Sequence, residues 1–85
     1  MSVDVVMYSK WLCPYCMLAK RLLKSKGVQF TEISVSWSRK KWNEMRQKSG
    51  GNTVPQIFIN NEAIGGYDDI AVLEQQGELD QKLGI

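Results

Sequence analysis

Histidine is missing from this 85-residue sequence, and cysteine occurs only twice. A structural zinc site needs four ligands drawn mainly from Cys and His, so one copy of the chain cannot supply it from that set, and zinc would require a dimer. Nor can Cys13 and Cys16, three positions apart, staple distant segments as the several bridges of a secreted disulfide scaffold do. Charge of one sign is scarce too: 11 Lys and Arg against 9 Asp and Glu leave a net +2. That balance argues against a nucleic-acid partner, because phosphate binding leans on Lys and Arg clustered along one face. The nearest candidate, Arg39-Lys40-Lys41, reads as the solvated start of a helix. Long apolar runs are also absent, since the stretch Val3 to Tyr8 is broken by Asp4 and is far shorter than a membrane span. No basic leader is seen before it. The expectation is a protein with neither export signal nor membrane anchor, working in the reducing cytoplasm.

What is present is an ordinary balance for a globular protein, 44% apolar and 24% charged residues with both signs interspersed. A chain this short is expected to make a single domain over residues 1–85 with one modest core. Val3 to Tyr8 is β-branched and aromatic and reads as a mostly buried strand. The period then changes. Tyr15, Leu18, Ala19, Leu22 and Leu23 fall at the spacing of one helical face, with Lys20, Arg21, Lys24 and Lys26 turned outward. Gly27 closes this helix, and Pro14 suits its first turn, which places Cys13 at the N-cap.

Val28 to Val35 is a second strand candidate, with Thr31, Ile33 and Val35 on one face. Ser38 to Lys48 lacks β-branched residues and ends at Gly50-Gly51, which predicts a helix with Trp42, Met45 and Trp37 inward. Gln56 to Ile59, the pair Asn60-Asn61 and Glu62 to Ile64 read as strand, tight turn, strand, because two Asn tolerate positive φ. Asp68-Asp69 marks an acidic helix start, and Leu79 and Leu83 a short last turn. The order β-α-β-α-β-β-α gives an α/β fold, with one right-handed βαβ unit and a hairpin extending the sheet.

The chemistry is carried by Cys13 and Cys16. Residues three apart on a helix share a face with Cβ atoms about 5 to 6 Å apart, and a disulfide wants about 3.8 Å, so local adjustment closes the bond. At the helix start, unpaired amides and the positive end of the dipole favour a Cys13 thiolate, the form that attacks sulfur. Cys16 lies one turn inside, with poorer access, and suits a resolving thiol. Lys10 adds a positive charge that favours an anionic sulfur and attracts an anionic partner. A strand before the motif and an amphipathic helix after it form the context of a redox CxxC. An iron-sulfur cluster held by Cys13 across two copies is a rival these residues leave open.

Three motifs together resemble the glutaredoxin family, in its short dithiol form. They are Cys13-Pro14-Tyr15-Cys16 after the first strand, Thr53-Val54-Pro55 before the third, and Gly65-Gly66-Tyr67-Asp68-Asp69 before the third helix. The resemblance covers nearly the whole chain and implies a thioredoxin-like fold, a four-stranded mixed sheet flanked by helices. It also implies a cis peptide at Val54-Pro55 facing the nucleophile, with the Val54 backbone pairing to the extended peptide of glutathione. Gly66, Tyr67 and the helix start near Asp68 would receive the γ-glutamyl carboxylate, and Asp68 or Asp69 its ammonium. Lys10, Tyr15, Thr53 and Pro55 complete the implied glutathione contacts.

The sequence departs from its relatives at Trp42, where many carry Gln, Arg or Lys for the glycyl carboxylate; Arg46, Arg39 or Lys41 are the substitutes at hand. Tyr67 stands where many have a further cysteine. The implied activity is glutathione-dependent reduction of protein disulfides and glutathione mixed disulfides by a monomer, with no metal cofactor. Glutathionylated or disulfide-containing proteins, ribonucleotide reductase among them, are the implied partners. A redoxin served by thioredoxin reductase is the near alternative. An iron-sulfur carrier is the distant one, disfavoured by Pro14. Exposed apolar surface near Trp11, Tyr15 and Tyr67 is the expected docking face.

Overall fold

The computed structural model describes residues 3–85. Its elements run β1 (Val5–Ser9), α1 (Pro14–Ser25), β2 (Thr31–Ser34), α2 (Arg39–Ser49), β3 (Gln56–Ile59), β4 (Glu62–Gly65), α3 (Tyr67–Gln75) and α4 (Leu79–Leu83). The four strands form one mixed sheet in the order β2-β1-β3-β4. β1 pairs with β2 in parallel, from Val6 opposite Thr31 to Ser9 opposite Ser34. It pairs with β3 antiparallel, from Val5 opposite Ile59 to Tyr8 opposite Gln56. β3 and β4 form the hairpin, turned by Asn60 and Asn61 at φ 51° and 67°. This is the conformation that a tight two-residue turn asks of its central residues.

Alternation along β1 and β3 divides the core. On one face Val5, Met7, Ile57 and Ile59 are buried against Ala19 and Leu23 of α1, Ile70 of α3, and Leu79 and Leu83 of α4. On the other, Tyr8 and Phe58 meet Met45 of α2 and Val35, with Trp42 and Val54 at the margin. A fully buried side chain such as Met7, Leu23 or Ile57 contributes about 1.5–3 kcal/mol relative to exposure. The Tyr8 hydroxyl donates to Glu44 at 2.6 Å, which pins α2 to the central strand. Burial first, and the Glu44 carboxylate second, push the Tyr8 phenol up to about 12.

Several expectations change. β2 is shorter than Val28 to Val35, because in its parallel register Val28 and Gln29 would lie opposite Val3 and Asp4, before β1 begins. Thr31 is exposed, and Ile33 only half-buried. In α1 the inward face is Cys16, Ala19 and Leu23, whereas Tyr15 and Leu18 are exposed, so the buried stripe is rotated toward the second cysteine. Lys26 is not simply outward: at the end of α1 its ammonium bridges Glu74 at 2.7 Å and Asp80 at 2.8 Å, tying α1 to α3 and α4. Trp37 is 92% exposed rather than inward. It precedes the N-cap Ser38 and takes φ 64°, so it belongs to a left-handed turn and not to the helix face. The last turn is a separate helix, α4, entered through Gly77 at φ 75°.

Candidate active site

Both cysteines meet at the start of α1. Cys13 is its N-cap, with extended backbone at φ −108° and ψ 107°, and Pro14 occupies the first turn, where no amide hydrogen is needed. The Cys13 Sγ accepts a hydrogen bond from the Cys16 amide at 3.3 Å, as an N-cap oxygen would. It lies 3.9 Å from the Val54 carbonyl, to which its thiol proton points. Both thiols are free, so the structure is that of the dithiol. Cys13 retains 7% exposure and Cys16 only 1%. Burial, followed by the interaction with Cys13, pushes the Cys16 thiol up to about 12, against smaller opposing effects of the Lys10 backbone and the Lys20 charge. The pair is therefore asymmetric, with Cys13 at the surface edge and Cys16 held protonated beneath it.

The Val54-Pro55 peptide is cis. Beside it, Tyr15 of α1, the turn Thr53-Val54-Pro55, and Gly66, Tyr67, Asp68 and Asp69 at the start of α3 line one groove. The Tyr15 and Tyr67 rings stand with centroids 6.4 Å apart and planes 33° apart. α3 begins at Tyr67, one residue before the expected acidic pair, with Gly66 as its N-cap. Asp69 is partly committed: its Oδ2 accepts the Gly66 amide at 2.8 Å. Asp68 is exposed at the groove.

Lys10 is not brought to this groove. It lines a separate hollow, to which Cys13 and Cys16 themselves belong, with Trp11, Leu12, Met17 and Trp37. Trp42 packs against the Tyr8 and Met45 core instead of facing a ligand. Of the basic substitutes, Lys41 is paired with Glu44 at 3.8 Å. Arg46 lines a hollow with Gly50, Gly51 and Asn52, and Gly50 and Gly51 also line the groove.

Two supporting residues went unrecognised in the sequence. Gln56 is 6% exposed, and its amide donates to the Thr53 carbonyl at 3.0 Å, holding the turn that carries Val54. A polar residue opening an otherwise apolar strand was the available signal. Glu32 accepts from the Ser9 hydroxyl at 2.6 Å and pairs with Lys20 at 3.1 Å. The Ser9 hydrogen bond, with help from Lys20, keeps its carboxyl below the usual range. Among the described residues, no cluster of three or more His, Cys, Asp or Glu side chains is placed to hold a metal ion, and no helix is long and apolar enough to cross a membrane.

An apposed thiol pair at a helix start, of which one member is buried and protonated, can exchange with a disulfide through a mixed-disulfide intermediate. Known proteins with this arrangement agree. The glutaredoxin family model matches residues 5–64. Glutaredoxin 3 of Escherichia coli K12 is 49% identical over 80 residues, covering 94% of this chain and 96% of its own length. The solution structure of a Brucella melitensis glutaredoxin superposes with a TM-score of 0.85 at 48% identity, over 96% of this chain and 89% of that one. A crystal structure of a buckwheat glutaredoxin-glutathione complex superposes with a TM-score of 0.86 at 29% identity, over 94% and 76% of the two chains. With the redox pair, the fold and these matches in agreement, the chain belongs to the glutaredoxin family of thiol-disulfide oxidoreductases.

Proposed function

We propose that this chain uses glutathione as its electron source, reducing glutathione mixed disulfides and protein disulfides in a reducing cytoplasm. The observation that carries this reading is the Cys13 Sγ poised 3.9 Å from the carbonyl of Val54, a residue that itself lines a groove reaching the start of α3. The Val54 backbone offers an edge for an extended peptide, and the free amides at the start of α3 suit a carboxylate. Asp68, whose carboxylate is not drawn into the Gly66 cap, is the better partner for the γ-glutamyl ammonium. Arg46, in the hollow that shares Gly50 and Gly51 with the groove, takes the glycyl carboxylate.

In the reaction, the Cys13 thiolate attacks the glutathione sulfur of a mixed disulfide, and the substrate protein leaves as its thiol. A second glutathione thiolate then attacks the glutathione sulfur, releasing oxidised glutathione and the Cys13 thiolate. With a protein disulfide, Cys16 attacks the Cys13 sulfur and frees the substrate as a dithiol.

The deciding experiment couples the reduction of a cysteine-glutathione mixed disulfide to NADPH oxidation, once through glutathione and glutathione reductase and once through thioredoxin reductase. Turnover in the first arm and none in the second is expected. The reverse pattern would assign the chain to the flavoprotein-served redoxins.

A further inference from the structure

The groove that suits glutathione leaves unexplained the apolar surface of the separate hollow that the cysteines line. There Trp11 is 68% exposed, Leu12 72%, Met17 60% and Trp37 92%. These four side chains line one hollow that reaches Cys13 and Cys16. Tyr15 and Tyr67, by contrast, frame the glutathione side. Of the expected docking face, Trp11 lies in this hollow, while Tyr15 and Tyr67 line the groove.

Two of the four apolar residues sit in backbone conformations that a bulky side chain avoids: Leu12 at φ 55° and Trp37 at φ 64°. Neither gains burial in return. The segments bearing the tryptophans are fastened together, because the Trp11 amide donates to the Ser36 hydroxyl at 2.8 Å. Ser36 in turn donates its amide to the Ser34 hydroxyl at 3.2 Å. Strained, exposed and mutually held apolar groups beside a nucleophile are an outlier that points to use by a partner.

Charge in the hollow and in the chain that leaves it narrows the partner. Lys10 lines the hollow, and Arg39 and Lys40 follow just after Trp37 at the start of α2. All three are exposed and make no ion pair among the described residues. The one carboxylate in the hollow, Glu32, is neutralised by Lys20 at 3.1 Å.

We infer that the Trp11–Trp37 hollow docks an extended, disulfide-bearing segment of a partner protein that carries an apolar side chain and acidic residues next to its cysteines. The apolar group seats on the tryptophans, the acidic residues face Lys10, Arg39 and Lys40, and the disulfide is delivered to Cys13. The Cys13 thiolate forms a bond to one partner sulfur as the partner disulfide breaks, and the released thiolate takes up a proton. Cys16 then closes on Cys13 and frees the second partner thiol, so two electrons pass to the partner and the chain ends as its own disulfide. This inference rests on the two thiol roles proposed above but not on glutathione as their reductant.

The test uses pre-reduced protein in single turnovers, which need no glutathione. Two synthetic peptides share one Cys-Xaa-Xaa-Cys disulfide and a neighbouring Leu, one flanked by Asp and Glu and the other by Lys; 2-hydroxyethyl disulfide serves as a small uncharged control. At low salt the acidic peptide is expected to react about tenfold faster than the basic one, with the ratio falling toward unity at high salt. The double variant W11A/W37A should lose about tenfold on the acidic peptide and stay within about twofold on the small disulfide. Equal rates for the two peptides, or an equal loss on the small disulfide, would overturn the inference. So would a concentration-dependent dimer of the wild type that the double variant abolishes, since the face would then serve a second copy. If these peptide results hold while glutathione fails to turn the protein over, the glutathione reading falls and the docking surface stands.

Discussion

The Cys16 amide donates to the Cys13 sulfur at 3.3 Å while the Cys16 thiol itself is buried beneath it. One residue thus serves the nucleophile twice, first through its backbone as a cap and later through its side chain as the resolver. Replacing Cys16 with Ser leaves the amide in place and removes only the second service. Cys16→Ser should therefore keep most of its activity on a glutathione mixed disulfide and lose at least about tenfold on a protein disulfide, whose mixed-disulfide intermediate then has no internal escape. Cys13→Ser should lose both activities. Equal losses in the two variants would mean that the thiols do not divide the work.

Two buried protons make the fold sensitive to alkali. The Cys16 thiol is raised from an ordinary 9.0 to about 12, and the Tyr8 phenol from 10.0 to about 12. Between those ordinary values and 12 the unfolded chain sheds protons that the folded chain keeps, so stability is full below pH 9 and falls as pH rises toward 12. Glu44, lowered chiefly by the Tyr8 hydroxyl, acts at the other end: its contribution is present above an ordinary 4.5 and is lost as pH falls through its lower folded value. Urea midpoints measured from pH 3 to 12 should trace both limbs. Tyr8→Phe should remove the Glu44 part of the acid limb, leaving that of Glu32, and the part of the alkaline limb above pH 10. An unchanged acid limb in that variant would show the hydrogen bond to be unimportant.

The central strands were legible in the sequence because their β-branched and aromatic composition is local and Asn60-Asn61 announces the turn; with apolar residues on both faces, the division of Val5 and Met7 from Tyr8 emerged only with the packing. The redox pair was legible for the same reason, since strand, Cys-Pro and amphipathic helix are consecutive. What stayed hidden depends on contacts between distant segments. Glu32 finds Ser9 and Lys20 only after β1 and β2 pair, and Lys26 finds Glu74 and Asp80 only after α1 meets the C-terminal helices. Trp37 defeats a pattern reading outright, because periodicity assigns it to a helix face that its left-handed backbone prevents it from joining.

Asp68 and Asp69 separate a structural role from a binding one. Asp69 caps α3 through Gly66, and a Cβ at Gly65, where φ is +121°, would strike its carboxylate. Asp69→Ala should cost about 1 kcal/mol of stability through the lost cap and weaken glutathione binding as the helix start loosens. Asp68→Ala should raise the KM for glutathione with little change in thermal midpoint, because Asp68 makes no capping bond. Calorimetry and the coupled assay on the two variants check this. A loss of stability in Asp68→Ala equal to that in Asp69→Ala would reduce both to helix caps.

Trp37 sets stability against use. Its left-handed backbone costs an L-residue about 1 kcal/mol, and its side chain, 92% exposed, recovers almost none of that by burial. Glycine adopts the same φ without penalty but carries greater unfolded-state entropy, so the net gain is a part of that figure. Trp37→Gly should raise the urea midpoint by an amount equivalent to about 0.5 kcal/mol while slowing reduction of the acidic peptide disulfide. Trp37→Ala, which keeps the strain and removes the ring, should slow the same reaction without raising the midpoint. The two variants together distinguish a residue retained for its contacts from one tolerated by chance: if both leave peptide reduction unchanged, the strained tryptophan has no partner to explain it.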